Sequence, residues 1–306
     1  MKQASLRQLK TRIKSLKNFQ KMTKSVNLIS AVKLRKVQGV MTQSRNLGSE
    51  ILSLLHELKK RNEKFPKHAL FGSGRRTMQD KKILVITIAS DRGLAGTFDL
   101  NIFRRTEVLL DEIGVGNYDL ATIGKKAKAH FSQKQIPLLF SFERFENIIS
   151  REQTKELRDY VRASVEKETY ASIQVIFNNF ISILKQEAIV VQLYPIDPKT
   201  LPDVIEHLSP KKNPVVEKSD AYAYAYLLEP NAQKLVDVLA ELSFSYLLYV
   251  MILEANSSEA AARMITMQRA YENATDMIFE STLAFNKLRQ GKITQELLEL
   301  VSGSKS

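Results

Sequence analysis

LRQLKTRIKSLKNFQKMTKSVNLISAVKLRK, residues 6–36, reads as one basic, amphipathic helix. Apolar residues recur at Leu6, Leu9, Ile13, Leu16, Phe19, Met22, Val26, Ile29 and Val32, stepping by threes and fours as one helix face requires. The segment from Met1 to Ser49 holds twelve Lys or Arg and no Asp or Glu, so it accounts for +12 of the chain's formal +13. Apolar positions continue through Leu47, Ile51, Leu54, Leu55 and Leu58 as far as Phe65-Pro66. There proline, followed by Gly72-Ser73-Gly74, ends the pattern. A helix of roughly sixty residues is about 90 Å long. Its own propensity does not hold it together, so it needs an apolar partner of similar length.

A partner of that kind lies at the other end of the chain. Asn231, after Pro230, is placed to be an N-cap. Beyond it Ala260, Met264, Met267, Tyr271, Ala274, Ile278, Ser281, Phe285 and Leu288 keep the four-three spacing of a coiled-coil seam. Residues 231–301 carry six basic and nine acidic side chains, a net −3 that is opposite in sign to the N-terminal helix. The signs favour an antiparallel coil of the two ends with the middle of the chain inserted between them. On periodicity alone, each helix packing in an ordinary bundle stays open.

Between the helices the period changes. Residues 82–90, KILVITIAS, form a β-branched apolar run that ends in a turn, as a buried parallel strand does. A helical pattern follows over 98–113, a strand over 118–123 and a helix over 125–135, the alternation of an α/β unit. A further strand is expected over 138–145, a helix over 154–168, and adjacent strands over 171–180 and 181–194. The expected fold is thus α/β plus a long α-helical coiled coil, with a Rossmann-like α/β domain inserted in an antiparallel two-helix coil. Its parts are a helix over 1–65, the α/β domain over 80–200, a proline-punctuated connector and foot over 201–230, and a helix over 231–301.

Composition excludes several chemistries. The 306-residue chain has no cysteine, hence no disulfide, thiolate metal site or cysteine nucleophile. No apolar h-region with a cleavage site opens it, and the basic stripe runs further than a mitochondrial presequence. The most apolar run, 242–253, is too short to span a bilayer. His56, His68, His130 and His207 are widely separated and read as surface or loop residues, without metal-ligand spacing. Ser90-Asp91-Arg92-Gly93-Leu94-Ala95-Gly96 stands where a nucleotide-binding sheet places its phosphate loop, yet it lacks the dinucleotide fingerprint and a P-loop lysine, and reads as a structural turn. No acid and base pair stands out, so neither a catalytic centre nor a cofactor is expected. A basic helix could also neutralise a nucleic-acid backbone. Its single aromatic, Phe19, lies on the apolar stripe and offers no stacking platform. A basic coiled-coil nucleic-acid-binding protein is therefore the second reading.

Motifs across the whole chain resemble the gamma subunit of F-type ATP synthases, in order and spacing. At the start they are Arg12-Ile13-Lys14-Ser15-Leu16-Lys17-Asn18, Gln20-Lys21-Met22-Thr23-Lys24 and Ala31-Val32-Lys33-Leu34-Arg35-Lys36. In the middle, the turn at 90–96 is similar to the family's SDRGLCG and Phe177-Asn178-Asn179-Phe180 to its YNKF. At the end come Ala261-Ala262-Arg263-Met264, Phe285-Asn286-Lys287-Leu288-Arg289-Gln290, Ile293-Thr294-Gln295-Glu296 and Val301-Ser302-Gly303.

The resemblance implies a non-catalytic rotor shaft, one copy per complex, standing in a ring of alpha and beta subunits, with its α/β domain against epsilon and the c-ring. It implies that Arg289 and Gln290 contact a loop of the beta subunit and that Lys24 lies near the beta lever. Tyr226 and Glu229 match the segment that docks on the c-ring, and the apolar tip of Ile293, Leu297, Leu298, Leu300 and Val301 would serve as a bearing. It further implies indirect, peripheral membrane association at the cytoplasmic face of a bacterial membrane, since the signature begins almost at Met1. The departures are Val26 for the usual methionine, Leu228 for a tyrosine, Ala95 and Thr97 in and after the turn, and Gly291 directly after the Arg-Gln pair. Paired regulatory cysteines of the chloroplast type are absent.

Overall fold

The computed structural model describes residues 5–61, 66, 68–71, 81–142, 155–167, 169–196 and 231–303. They form α1 (Leu6–Arg61), β1 (Ile83–Ile88), α2 (Phe98–Ile113), β2 (Tyr118–Ile123), α3 (Lys125–Gln133), β3 (Leu138–Phe142), α4 (Lys155–Glu166), β4 (Ser172–Phe180), β5 (Gln186–Tyr194) and α5 (Ala232–Gly303). The chain divides into two compact units, residues 1–31 with 263–306, and residues 32–262.

The first unit is a pair of antiparallel helices. α1 opens with a reciprocal capping box: the Ser5 amide donates to Gln8 Oε1 at 2.8 Å and the Gln8 amide to Ser5 Oγ at 3.3 Å. The pairing is fixed by Gln20 Nε2, which donates to Thr275 Oγ1 at 2.7 Å, and by Asn27 Nδ2, which donates to the Met264 carbonyl at 2.9 Å. On α5 the inward positions are those expected from the spacing, with Met267, Ala274 and Ser281 buried and Met264, Tyr271, Ile278, Phe285 and Leu288 half-buried between them.

On α1 the seam departs from the apolar stripe after Leu16. Phe19, Met22 and Ile29 are exposed, as is Val32 in the second unit, while Thr23 and Ser30 are buried. The three-four spacing that starts at Leu6 passes through Gln20, Thr23, Asn27 and Ser30, and only returns to apolar residues at Leu34, Val37 and Met41. A polar seam is tolerable because its members find local acceptors. Thr23 Oγ1 donates to the Gln20 carbonyl at 3.0 Å and Ser30 Oγ to the Val26 carbonyl at 2.8 Å. The apolar residues left outside mark a surface that is uncovered among the described residues.

The second unit is built on a five-stranded sheet in the order β3-β2-β1-β4-β5, parallel except for the antiparallel β4–β5 hairpin. Alternation along β1 divides two cores. Leu84, Ile86 and Ile88 face a cluster that includes Leu55 and Leu58 of α1, Leu157 and Val161 of α4, and Phe244, Leu248 and Met251 of α5. Val85 faces Ile102 and Phe103 of α2 and Phe131 of α3. Burial on both faces explains why β1 reads as a continuous apolar run. Most of the apolar stretch 242–253 is core, with Phe244, Leu247, Leu248, Val250, Met251, Ile252 and Leu253 all buried, while Leu242 is exposed. Asn231 caps α5 as expected, its Oδ1 accepting the Lys234 amide at 2.9 Å.

Among the strands, one boundary differs from expectation by more than two residues and one lies outside the described residues. β5 begins at Gln186 instead of 181, because Ser182 and Lys185 exchange backbone hydrogen bonds around Ile183-Leu184 to close the hairpin. β3 is described only to Phe142, and residues 143–145 of the expected strand lie outside the described residues.

Candidate functional surface

The turn after β1 is filled by the chain's own carboxylates. Asp99, at the start of α2, accepts the Ser90 amide at 2.9 Å and the Ser90 hydroxyl at 2.6 Å. Asp91 Oδ1 accepts the Lys125 amide at 2.9 Å, in the first turn of α3. Helix N-termini are where a doubly wound sheet offers N–H donors to phosphate. Here an aspartate already takes the α3 donor, and the turn serves to lock β1, α2 and α3 together. Gly124 completes the junction: at φ +103° its missing Cβ would lie 2.2 Å from the Ala89 carbonyl oxygen.

His130 is not a loop residue. It stands on α3, stacked on Phe103 with ring centroids 4.1 Å apart, and its Nε2 pairs with Glu107 Oε1 at 2.7 Å. Lys134 Nζ donates to the same oxygen at 2.6 Å. Burial pushes the Glu107 carboxyl up, but the bonds from His130 and Lys134 outweigh it and hold the group below the usual carboxylate range. On the opposite side of the sheet Asp119 accepts Tyr170 Oη at 3.1 Å and Lys82 Nζ at 2.8 Å. Burial first, then the Asp119 carboxylate, push the Tyr170 phenol above its ordinary range. Both clusters pin elements of the sheet domain together. His68 accepts the Leu70 amide at the short 3₁₀ turn Ala69–Phe71, while the His56 side chain and His207 lie outside the described residues.

The surface residues singled out by sequence lie mainly on the first unit. Lys24 is exposed on α1, and Arg289 and Gln290 are exposed on α5. They do not form one cluster: Thr275 is bonded to Gln20, so Arg289 stands fourteen residues, about 21 Å, further along α5, and Lys24 lies one turn the other way. Every residue from 291 to 300 is exposed, including Ile293, Leu297, Leu298 and Leu300, the last at 71%. The Val301 side chain, Tyr226 and Glu229 lie outside the described residues. Gly291 has nothing within 4 Å of the position of a Cβ.

Lys14, Lys17 and Lys21 of the N-terminal motifs form a row with Lys10 that lines an open groove on α1, a grouping the motifs did not show. The four-three-four spacing of these residues was the available signal. The outside of this unit is therefore basic along α1, apolar at Phe19, Met22 and Ile29, and apolar again at the tip of α5. Such a surface can hold acidic and apolar partners at once, and it carries no constellation for bond chemistry among the described residues.

The chain is similar to known proteins along nearly its whole length. Residues 5–306 match the family model described as ATP synthase. The chain is 30% identical over 315 residues to an ATP synthase gamma chain from Thermosynechococcus vestitus, covering 99% of each. It is 30% identical to another from Desulforamulus reducens, covering 98% of each. A chain of the Euglena gracilis mitochondrial ATP synthase, solved with OSCP, F1 and the c-ring, superposes with a TM-score of 0.62 at 17% identity over 98% of this chain and 93% of that one.

Proposed function

The chain belongs to the ATP synthase gamma-chain family, and from that premise we propose that it is the central rotor shaft of an F-type ATP synthase, carrying no active site of its own. One observation carries the reading. The chain's two ends form an antiparallel helix pair whose exterior is basic and apolar, and residues 291–300 of α5 are all exposed. A monomeric soluble protein rarely leaves so much apolar surface uncovered. A surrounding ring of alpha and beta subunits supplies the cover, and acidic loops on that ring supply the counter-charge. In this reading the connector and foot, including Tyr226 and Glu229, meet the c-ring and epsilon. The complex sits peripherally at the cytoplasmic face of a bacterial membrane.

The mechanism follows from asymmetry. The shaft presents a different side to each beta subunit, so contact favours the closed or open state of one of them at a time. A shift from minor to major population needs only about 5 kcal/mol of differential contact. Rotation hands that bias to the next subunit. Arg289 and Gln290 supply directional contacts to the beta subunit near the tip. Ile293, Leu297, Leu300 and Val301 supply non-directional apolar contact, which fits a bearing because it fixes no single orientation.

Arg289→Ala with Gln290→Ala tests the assignment. In membranes carrying the complex, ATP-driven proton pumping should fall while the chain remains folded by circular dichroism. Unchanged pumping would remove these two residues from the coupling contact.

A further inference from the structure

α5 crosses the C-terminal end of β4 through residues 254–259, Glu-Ala-Asn-Ser-Ser-Glu, and every polar side chain in that stretch is buried. The Glu254 side chain is fully enclosed, and its Oε2 accepts the Phe180 amide at 3.2 Å. Ser258 Oγ donates to the Asn178 carbonyl at 2.8 Å. The Asn178 side chain in turn donates from Nδ2 to the carbonyl of Phe98, the first residue of α2, at 3.0 Å. A neighbouring hydroxyl, Ser257 Oγ, points to Met41 Sδ of α1 at 3.7 Å.

The spacing is a match of two periods. Glu254 and Ser258 are one helical turn apart, a rise of about 6 Å, and Asn178 and Phe180 are two strand residues apart, about 6.6 Å. The lower helix number bonds the higher strand number, so the pair of bonds defines one direction and one register. Shifting α5 by one residue along its screw, about 1.5 Å of rise with about 100° of rotation, turns both side chains away from the strand. The apolar core beside them has no such discrimination, because apolar contact is not directional. The second unit ends at Ala262, one turn beyond Ser258, so these bonds lie at the last turns of α5 that belong to the sheet unit.

We propose that Glu254 and Ser258 are the torque clamp of the rotor: positioning residues that fix the shaft helix to the end of β4, so that rotation of the sheet domain passes into α5 without slip. This rests on the rotor reading above. Coupling, and not folding alone, then depends on the two bonds.

The test uses the assembled ATP synthase in sealed vesicles, with ATP hydrolysis and ATP-driven ion pumping measured on the same preparation. Glu254→Ala with Ser258→Ala removes both bonds. Glu254→Gln with Ser258→Thr keeps an acceptor and a hydroxyl. Should the double alanine variant not assemble, Ser258→Ala alone removes one bond with one atom. The expected result is hydrolysis retained, pumping per ATP reduced in the alanine variants, and the ratio rescued in the conservative pair. Exchange of the Phe180 amide should also become about tenfold faster when Glu254 is truncated. An unchanged pumping ratio in the alanine variants, with Phe180 exchange accelerated, overturns the clamp. So does a proportionate fall of hydrolysis and pumping in both pairs, the signature of a merely structural role. Failure of the unmodified chain to support pumping overturns the rotor reading, and the clamp with it.

Discussion

Gly48→Ala should destabilise the protein although it replaces a poor helix former with the best one. Gly48 is buried on α1, and a Cβ built there would lie 1.6 Å from Cζ and 2.2 Å from Oη of Tyr246 on α5. Real contacts of a Cβ essentially never fall below 3.0 Å, so the ring or one of the helices must move. Overpacking of this kind costs about 1–3 kcal/mol, against a gain of about 1 kcal/mol from helix propensity. The net expectation is a loss of up to about 2 kcal/mol, equivalent to roughly 2–4 °C in Tm for each kcal/mol. Gly39 and Gly291 are built-in controls, because nothing lies within 4 Å of their Cβ positions. Alanine at either should stabilise by up to about 1 kcal/mol. Urea unfolding of the four chains orders them, and Tyr246→Ala in the Gly48→Ala background should show a favourable coupling term. Gly48→Ala stabilising to the same extent as Gly39→Ala would refute the close approach of α1 and α5 at this point.

Three further expectations follow from other sites. Asn27→Leu replaces a polar seam residue bonded to the Met264 carbonyl; it should raise coil stability by roughly 1 kcal/mol while loosening register, read as a higher urea midpoint together with weaker disulfide cross-linking between cysteines introduced at Gln20 and Thr275. Tyr170 has a phenol raised above its ordinary range by burial and Asp119, so the stability it contributes is whole below the unfolded tyrosine value of about 10 and is lost as pH rises through the folded one. Unfolding midpoints measured on both sides of that pH should therefore fall more steeply in the unmodified chain than in Tyr170→Phe. Gly124→Ala forces a Cβ against the Ala89 carbonyl at positive φ and should lower Tm more than alanine at any helical glycine, which thermal melts would show directly.

The sheet was legible because β1 is buried on both faces and so carries an unbroken apolar run, and α5 was legible because its seam is apolar or small at every step. α1 was legible only as far as Leu16. Beyond it, following hydrophobic residues leads to Phe19, Met22, Ile29 and Val32, which face outward, whereas the heptad phase leads to Gln20, Thr23, Asn27 and Ser30. A coil can bury hydroxyls and amides when carbonyls one turn away, or on the facing helix, accept them. The apolar residues are then free for another surface. Hydrophobic periodicity cannot separate these two uses, because it assumes that apolar means internal to the same chain. The Glu254 and Ser258 contacts were hidden for a related reason: a polar run in a helix reads as solvated unless the sheet end that receives it is known. Arg289 and Gln290 were singled out only by the motif they resemble, and the structure adds that they are exposed on α5, far from Lys24.

A shaft must stand inside a ring of alpha and beta subunits. Mixing the chain with its cognate alpha and beta subunits, with duplex DNA as competitor, and recording native mass spectra and ATPase activity shows whether it does. One copy should bind three alpha and three beta subunits, with ATPase that depends on the chain and is indifferent to DNA. No such complex, with salt-sensitive binding to the DNA instead, would contradict the rotor reading and make the lysine row of α1 a nucleic-acid surface.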